Sequence, residues 1–386
     1  MKGPRASRDR ARAWPDLDAF LSRIFYDPFW RPGWRRQARR KALQVTGRVV
    51  RRIASSRTEE RSRLAWQELS LKLRSFALFS LIDWVPSLEA ADENTLPALV
   101  SRAQTVAPDE VQWLMEGIGQ YVTQRALAGE ALPVDLLKDE SLPEWSLGTL
   151  HTGLGISLAV WILEAVDDND PDRTVAKSVE HFVSLCERCS RPGYTGMAIE
   201  CLGFVLRFLH PQYLAPVDAF LRESRHDLVA PVWHGVGRAL YFLPGNLLPG
   251  RSAPWRALTI AEREAPHEIG RQNLLAGLAW PFLLVTWQQP RILEAVLSHH
   301  LEQLQNDDCF SSGLGAAMVV WVESTPGESR ITAVLDHRPH PETPELAGAW
   351  EALVRKPCAD ALTRTYPLLK KDHRLDELFH YPLPDR

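Results

Sequence analysis

The sequence predicts an all-α protein built from stacked helix pairs, and three observations carry that expectation. A glycine followed by an apolar run recurs at Gly117, Gly153, Gly196, Gly235, Gly277 and Gly313, at intervals of 36, 43, 39, 42 and 36 residues. No strand signature accompanies the recurrence. The segments between the glycines read as second helices that end near Pro, Gly, Asn or Asp. A period of about 40 residues without strands marks repeating helix pairs, stacked as an α-solenoid or an α/α array.

The chain has 386 residues, 45% of them apolar and 24% charged, the composition of a globular protein. Fourteen tryptophans imply a large core or deep aromatic clefts. The net charge of −3 conceals a split. Residues 1–63 hold eighteen Lys/Arg against six Asp/Glu, or +12; the rest holds 27 against 42, or −15. This divides the chain into a basic, partly disordered N-terminal arm over residues 1–60 and a helical-repeat domain over 61–386. Five cysteines, an odd number, argue against a disulfide framework and for a reducing compartment. No apolar stretch follows the basic start as in a secretory signal, so a cytoplasmic location is expected. The longest apolar runs, Gly153–Leu163 and Leu274–Trp287, fall short of the roughly 18 residues of a membrane span.

In chain order, residues 1–13, made up mostly of Arg, Asp, Ser, Gly and Pro, are expected to be disordered, and Phe20–Trp34 is aromatic but too proline-rich for a helix. Arg35–Arg52 reads as a basic amphipathic helix. It suits a nucleic acid, an anionic membrane surface or the acidic body of the same chain, and docking on the body is expected. Trp66–Leu88 has the apolar spacing of a buried helix. Beyond Pro97, second helices fall at Val175–Cys189, Ala215–Arg222 and Pro290–Gln305 between the glycines. Four of the six glycines begin a Gly-x-Gly pair, read as a helix start. Such a start permits close packing of neighbouring backbones and leaves N–H groups free for an anion.

Candidate chemistry concentrates in Trp233–Phe242 and Glu262–Asn273. His234 and Arg238, four residues apart, share a helix face and suit a carbonyl or an acid; a buried, satisfied histidine is the plainer reading. His267-Glu268-Ile269-Gly270-Arg271 begins like a zinc-protease motif, but Arg271 cannot ligate zinc. If helical, Glu264, His267, Glu268 and Arg271 share one face, fit for acid–base work or for a surface salt-bridge cluster with Pro266 at an early helical position. His234, Arg238, His267, Glu268 and Arg271 are therefore the candidate catalytic residues, expected to converge through adjacent repeats. Glu116 and Glu200 lie in apolar runs, where a carboxylate must be paired with Arg or His from an adjacent unit or held protonated. Cys186-Glu-Arg-Cys189, near His181 and Cys201, stands alone as a metal or redox motif, and Asp167–Asp170 precedes a proline in a loop. Neither makes a cofactor or metal site, so none is expected. A nucleophile elbow, a P-loop and a dinucleotide fingerprint are missing.

Trp113–Gly119, Gly193–Gly203 and Trp233–Phe242 resemble the repeated Glu-Gly-Ala-Gly and His-Val-Gly patterns of a bacterial family known as enediyne biosynthesis proteins. Its members are encoded in polyketide gene clusters. The likeness spans about residues 105–325 and brings no catalytic residue with it. It implies an accessory protein of natural-product biosynthesis that binds or processes a hydrophobic, acidic or carbonyl-bearing intermediate. Whether such a protein is an enzyme stays open. A non-catalytic helical-repeat scaffold for a protein partner is the alternative. Neither reading calls for nucleic acid or a membrane span.

Overall fold

A computed structural model describes residues 33–79, 95–129, 132, 134–166, 171–247, 256–328, 330–340 and 344–383. All its regular elements are helices, and no strand occurs among the described residues. The arm before residue 33, most of the aromatic segment Phe20–Trp34, and Asp167–Asp170 lie outside them.

Helix α1 (Gly33–Ser56) and α2 (Glu60–Phe79) form a hairpin. Leu43 and Val50 of α1 are buried against Leu73 of α2, so the helical part of the arm packs on its neighbour in sequence. Helices α3 (Leu96–Val106) and α4 (Val111–Ala128) follow, then α5 (Glu144–Leu163), α6 (Pro171–Cys189) and α7 (Thr195–Leu209). Next come α8 (Leu214–Ser224), α9 (Val229–Phe242), α10 (Arg256–Glu264), α11 (Glu268–Thr286), α12 (Pro290–Leu304) and α13 (Cys309–Ser324). A long helix over residues 344–371, α14, carries two π-helical turns, and a 3-10 turn, Leu375–Phe379, is the last regular element among the described residues.

The glycine-bearing helices α4, α5, α7, α9, α11 and α13 pack each on the next, and α13 also touches α5 and α4. These are the most apolar elements. Sixteen of the twenty residues of α5 are buried, and all of α9 except Ala230, as befits helices apolar around their whole circumference. Helices α6 and α10 instead carry one apolar stripe and lie outside the glycine-bearing layer, on α5 and α11.

Two expectations are corrected here. The Gly-x-Gly pairs are not helix starts: Gly117, Gly153, Gly235 and Gly313 sit four to nine residues into their helices, so their N–H groups belong to the helical ladder. Their use is close approach. A Cβ at Gly235 would overlap the Glu200 carbonyl oxygen, one at Gly277 that of His234, and one at Gly313 that of Ala276. Secondly, Glu144–Leu163 is long and apolar enough to cross a membrane, although 89% of its apolar window is buried inside the fold. Uncharged polar residues before Gly153 had made the run look shorter.

Candidate functional site

The buried surface of α9 packs on α11 and α7; its His234 and Arg238 both meet Glu200 of α7, and Arg238 also reaches Glu116 of α4. His234 and Arg238 are each 1% exposed, Glu200 of α7 is fully buried, and Glu116 of α4 is 7% exposed. The His234 Nδ1 lies 3.2 Å from Glu200 Oε1. The Arg238 Nε is 3.5 Å from the same oxygen, and its Nη2 is 3.7 Å from Glu116 Oε1 and 3.6 Å from the Cys201 Sγ. The partners expected for Glu116 and Glu200 are thus the ones found, and for the expected reason: a carboxylate in an apolar helix must meet a cation.

Burial lowers the His234 pKa, against the raising effect of Glu200, so the ring is neutral at physiological pH. The neutral ring donates from Nδ1 to Glu200, and its Nε2 is an acceptor without a partner. Burial alone would lower the Arg238 pKa, but Glu200 and Glu116 outweigh it and hold the guanidinium charged. Burial raises Glu116 to about 6; Arg238 opposes this and Glu200 adds to it. One arginine therefore serves two carboxylates, and one of those carboxylates exchanges its proton near pH 6.

Arg238 and Glu116 also line a partly open cavity of about 60 Å³ bounded by α2, α4, α5, α7 and α9. Six of the eight remaining lining residues are aromatic, Phe76 and Phe79 of α2, Trp113 of α4, Phe204 and Phe208 of α7, and Phe242 of α9; Ser75 and Ile156 complete it. These rings brace one another. Phe76 and Phe242 meet edge to face at 5.3 Å, and Phe204 stacks on Phe208 at 5.4 Å. The guanidinium lies 4.5 Å over Phe204. Its Nη1 is buried with no hydrogen-bond partner, a donor group left for an oxygen that the protein itself does not supply.

Compared with family models, curated proteins and solved structures, the chain matches none. The site must be read from its own geometry.

That geometry splits the candidate catalytic residues. His234 and Arg238 come together through Glu200; His267, Glu268 and Arg271 make other bonds, and no hydrogen bond, ion pair or ring contact among the described residues joins the two groups. The helix breaks at residues 265–267, so the four residues expected on one helical face do not share it. Glu264 ends α10 paired with Arg207. His267 caps α11: its Nδ1 accepts the Gly270 N–H at 2.9 Å, and its Nε2 donates to Asp218 at 2.9 Å. Asp218 also accepts the Trp233 indole N–H at 2.7 Å. Both nitrogens of His267 are occupied, which leaves none for a substrate. Pro266 precedes the cap and is not an early helical residue. Arg271 grips Glu268 through two bonds, at 2.7 and 2.9 Å, and reaches Asp307 at 2.8 Å, clamping α11 to the chain before α13.

The aromatic lining was not read from the sequence as part of a site. Trp113 and Phe242 stand in the quoted motifs, but nothing in their spacing shows that Phe76 and Phe79, over 120 residues from Phe204, face the same cavity. A second buried cluster also escaped notice. Glu68 and Lys72, 3.0 Å apart on α2, lie beneath Tyr241, with the ammonium 3.7 Å from the ring centroid. Burial lowers the Lys72 pKa against the pull of Glu68. Cys186 and Cys189 are both buried, and burial raises both thiols, so they pack as small apolar side chains rather than as thiolates.

Proposed function

We propose that the protein binds the acidic or carbonyl-bearing end of a hydrophobic small molecule in the cavity over Arg238 and Glu116. One observation carries this reading: a buried, charged guanidinium with an unpaired Nη1 belongs to an arginine that lines a mostly aromatic cavity. An arginine so placed holds a carboxylate or polarises a carbonyl, and the rings take the apolar remainder. Glu116, which changes protonation near pH 6, gives the site acid–base capacity, a role the sequence had suggested for His267 and Glu268. His234, outside the cavity lining, instead orients Glu200. The reading keeps the likeness to enediyne biosynthesis proteins as its context, an accessory binding or processing role in natural-product assembly. We further read the successive glycine-bearing helices, with α13 touching α5, as the inner layer of a closed α/α array of repeats of about 40 residues. Such an array surrounds a site more completely than the open concave face of a protein-binding scaffold.

Benzoate and hexanoate, tested by thermal shift and calorimetry beside the corresponding alcohols, are the probes. The acids are expected to bind saturably and to raise the melting temperature, with the alcohols weaker. Arg238→Met should abolish binding. Because that variant leaves two buried carboxylates uncompensated, Phe208→Trp, which fills the cavity and keeps the charges, is the parallel test. Failure of both acids to bind, or unaltered binding in a folded Phe208→Trp protein, overturns the proposal.

A further inference from the structure

Residues 33–56 contain eight Lys/Arg and no Asp/Glu, and all belong to α1. The helix has two unlike sides. Leu43, Val50 and Ala54 are buried, the first two against α2. On the opposite side, Lys41, Val45, Arg48, Val49 and Arg52 fall within about 100° of the circumference at 3.6 residues per turn, and all five are exposed. Val45 is 49% and Val49 51% exposed. They stand one turn apart, the only two large exposed apolar side chains on one helix among the described residues.

The acidic body was expected to neutralise this arm. The helix does pack on the chain, yet Lys41, Arg48, Arg51 and Arg52 have no ion pair among the described residues. A face that keeps exposed cations without ion pairs, on a chain whose residues 64–386 carry −15, is free to meet an anionic surface. The valines decide which kind. Against a sugar–phosphate backbone, affinity comes from charge contacts and exposed valines add nothing. At a bilayer interface, valines between basic residues enter the acyl boundary while the cations stay among the headgroup phosphates.

We propose that α1 docks the protein on an anionic lipid bilayer, lying in the interface with Val45 and Val49 turned into the lipid and Lys41, Arg48 and Arg52 on the headgroups. Docking here is independent of what the cavity holds.

The full chain is floated with vesicles of phosphatidylcholine alone and with vesicles carrying about 30% phosphatidylglycerol, a surface that attracts polybasic segments. Binding is expected only to the anionic vesicles, and it should fall away in about 0.5 M salt, where the screening length is a few ångströms. Val45→Ser/Val49→Ser should weaken the partition about tenfold, equivalent to about 1.4 kcal/mol. Arg48→Gln/Arg52→Gln should weaken it at least as much. All four positions are exposed, so melting temperatures should not change. No binding to anionic vesicles, or binding indifferent to the valine pair, overturns the proposal. Salt-sensitive binding to duplex DNA that survives the valine substitutions, with no vesicle binding, would assign the face to nucleic acid.

Discussion

Glu116 shows what a single buried carboxylate does to the protein as a whole. Burial raises it from an ordinary value of 4.5 to about 6, so the folded chain keeps a proton that the unfolded chain releases. A group of this kind leaves stability untouched below its ordinary pKa. It costs stability as pH rises from 4.5 to about 6, and the loss then levels off at about 2 kcal/mol. Chemical denaturation between pH 4 and 7.5 should therefore show a falling contribution that Glu116→Gln removes; an unchanged profile in that variant would mean the proton sits elsewhere. The need for a partner was legible in the sequence, since Glu116 and Glu200 interrupt apolar runs. The supposed convergence of His234 and His267 was not. Consecutive helical residues diverge by about 100°, and it is Trp233, not His234, that faces His267, at 5.8 Å between ring centroids.

Among elements, the recurring glycines were legible as packing devices, and their position inside the helices was not. The residues ahead of every recurring glycine but Gly196, the second residue of α7, already belong to its helix, and a glycine within a helix costs about 1 kcal/mol relative to alanine, which close backbone contact must offset. Gly235 and Gly47 make opposite predictions. At Gly235 a Cβ meets the carbonyl oxygen of Glu200 and the backbone nitrogen of Phe204, neither of which can turn aside as a side chain would. Gly235→Val should cost at least the roughly 1–3 kcal/mol of overpacking. It should also shift Glu200, and with it Arg238. Nothing lies within 4 Å of a Cβ at Gly47 in α1, so Gly47→Ala should stabilise by up to about 1 kcal/mol through helix propensity. Equal melting temperatures for the two variants would contradict the seam. The basic helix was legible as well, because residues 35–52 carry charge and apolar spacing together. The ionic partnership of Glu68 and Lys72 was not legible, because they stand four apart among the polar positions of a run read for its apolar spacing.

At the scale of the molecule, the least legible feature is the C-terminal strap. The glycine recurrence ends at Gly313, and nothing in Leu375-Asp-Glu-Leu-Phe379 marks it as structural. Yet Leu375, Leu378 and Phe379 are 3%, 2% and 1% exposed. Phe379 lies 5.1 Å from the His234 ring and 5.8 Å from Trp280, touching α9 and α11 at once. Asp376 accepts the Gly196 N–H at 3.0 Å and donates its own N–H to the Gly193 carbonyl at 3.1 Å, which fastens the strap to the start of α7. Gly193 holds a φ of +83° there, and a Cβ would strike the His373 carbonyl, so only glycine admits the strap so closely. Farther on, the Tyr381 N–H reaches Asn273 of α11 at 2.8 Å. The strap therefore ties together helices far apart in sequence, and its Phe379 packs edge to face on the His234 ring. Burying three large apolar side chains contributes about 5–9 kcal/mol at 1.5–3 kcal/mol each, as much as the whole stability of many domains. A chain ending at Asp372 should lose its cooperative thermal transition and become protease-sensitive. Phe379→Ala alone should cost about 3–5 kcal/mol. If the shortened chain melts within a few degrees of the full chain, the strap is an appendage, and the glycine-bearing helices hold the His234–Glu200–Arg238 cluster together without it.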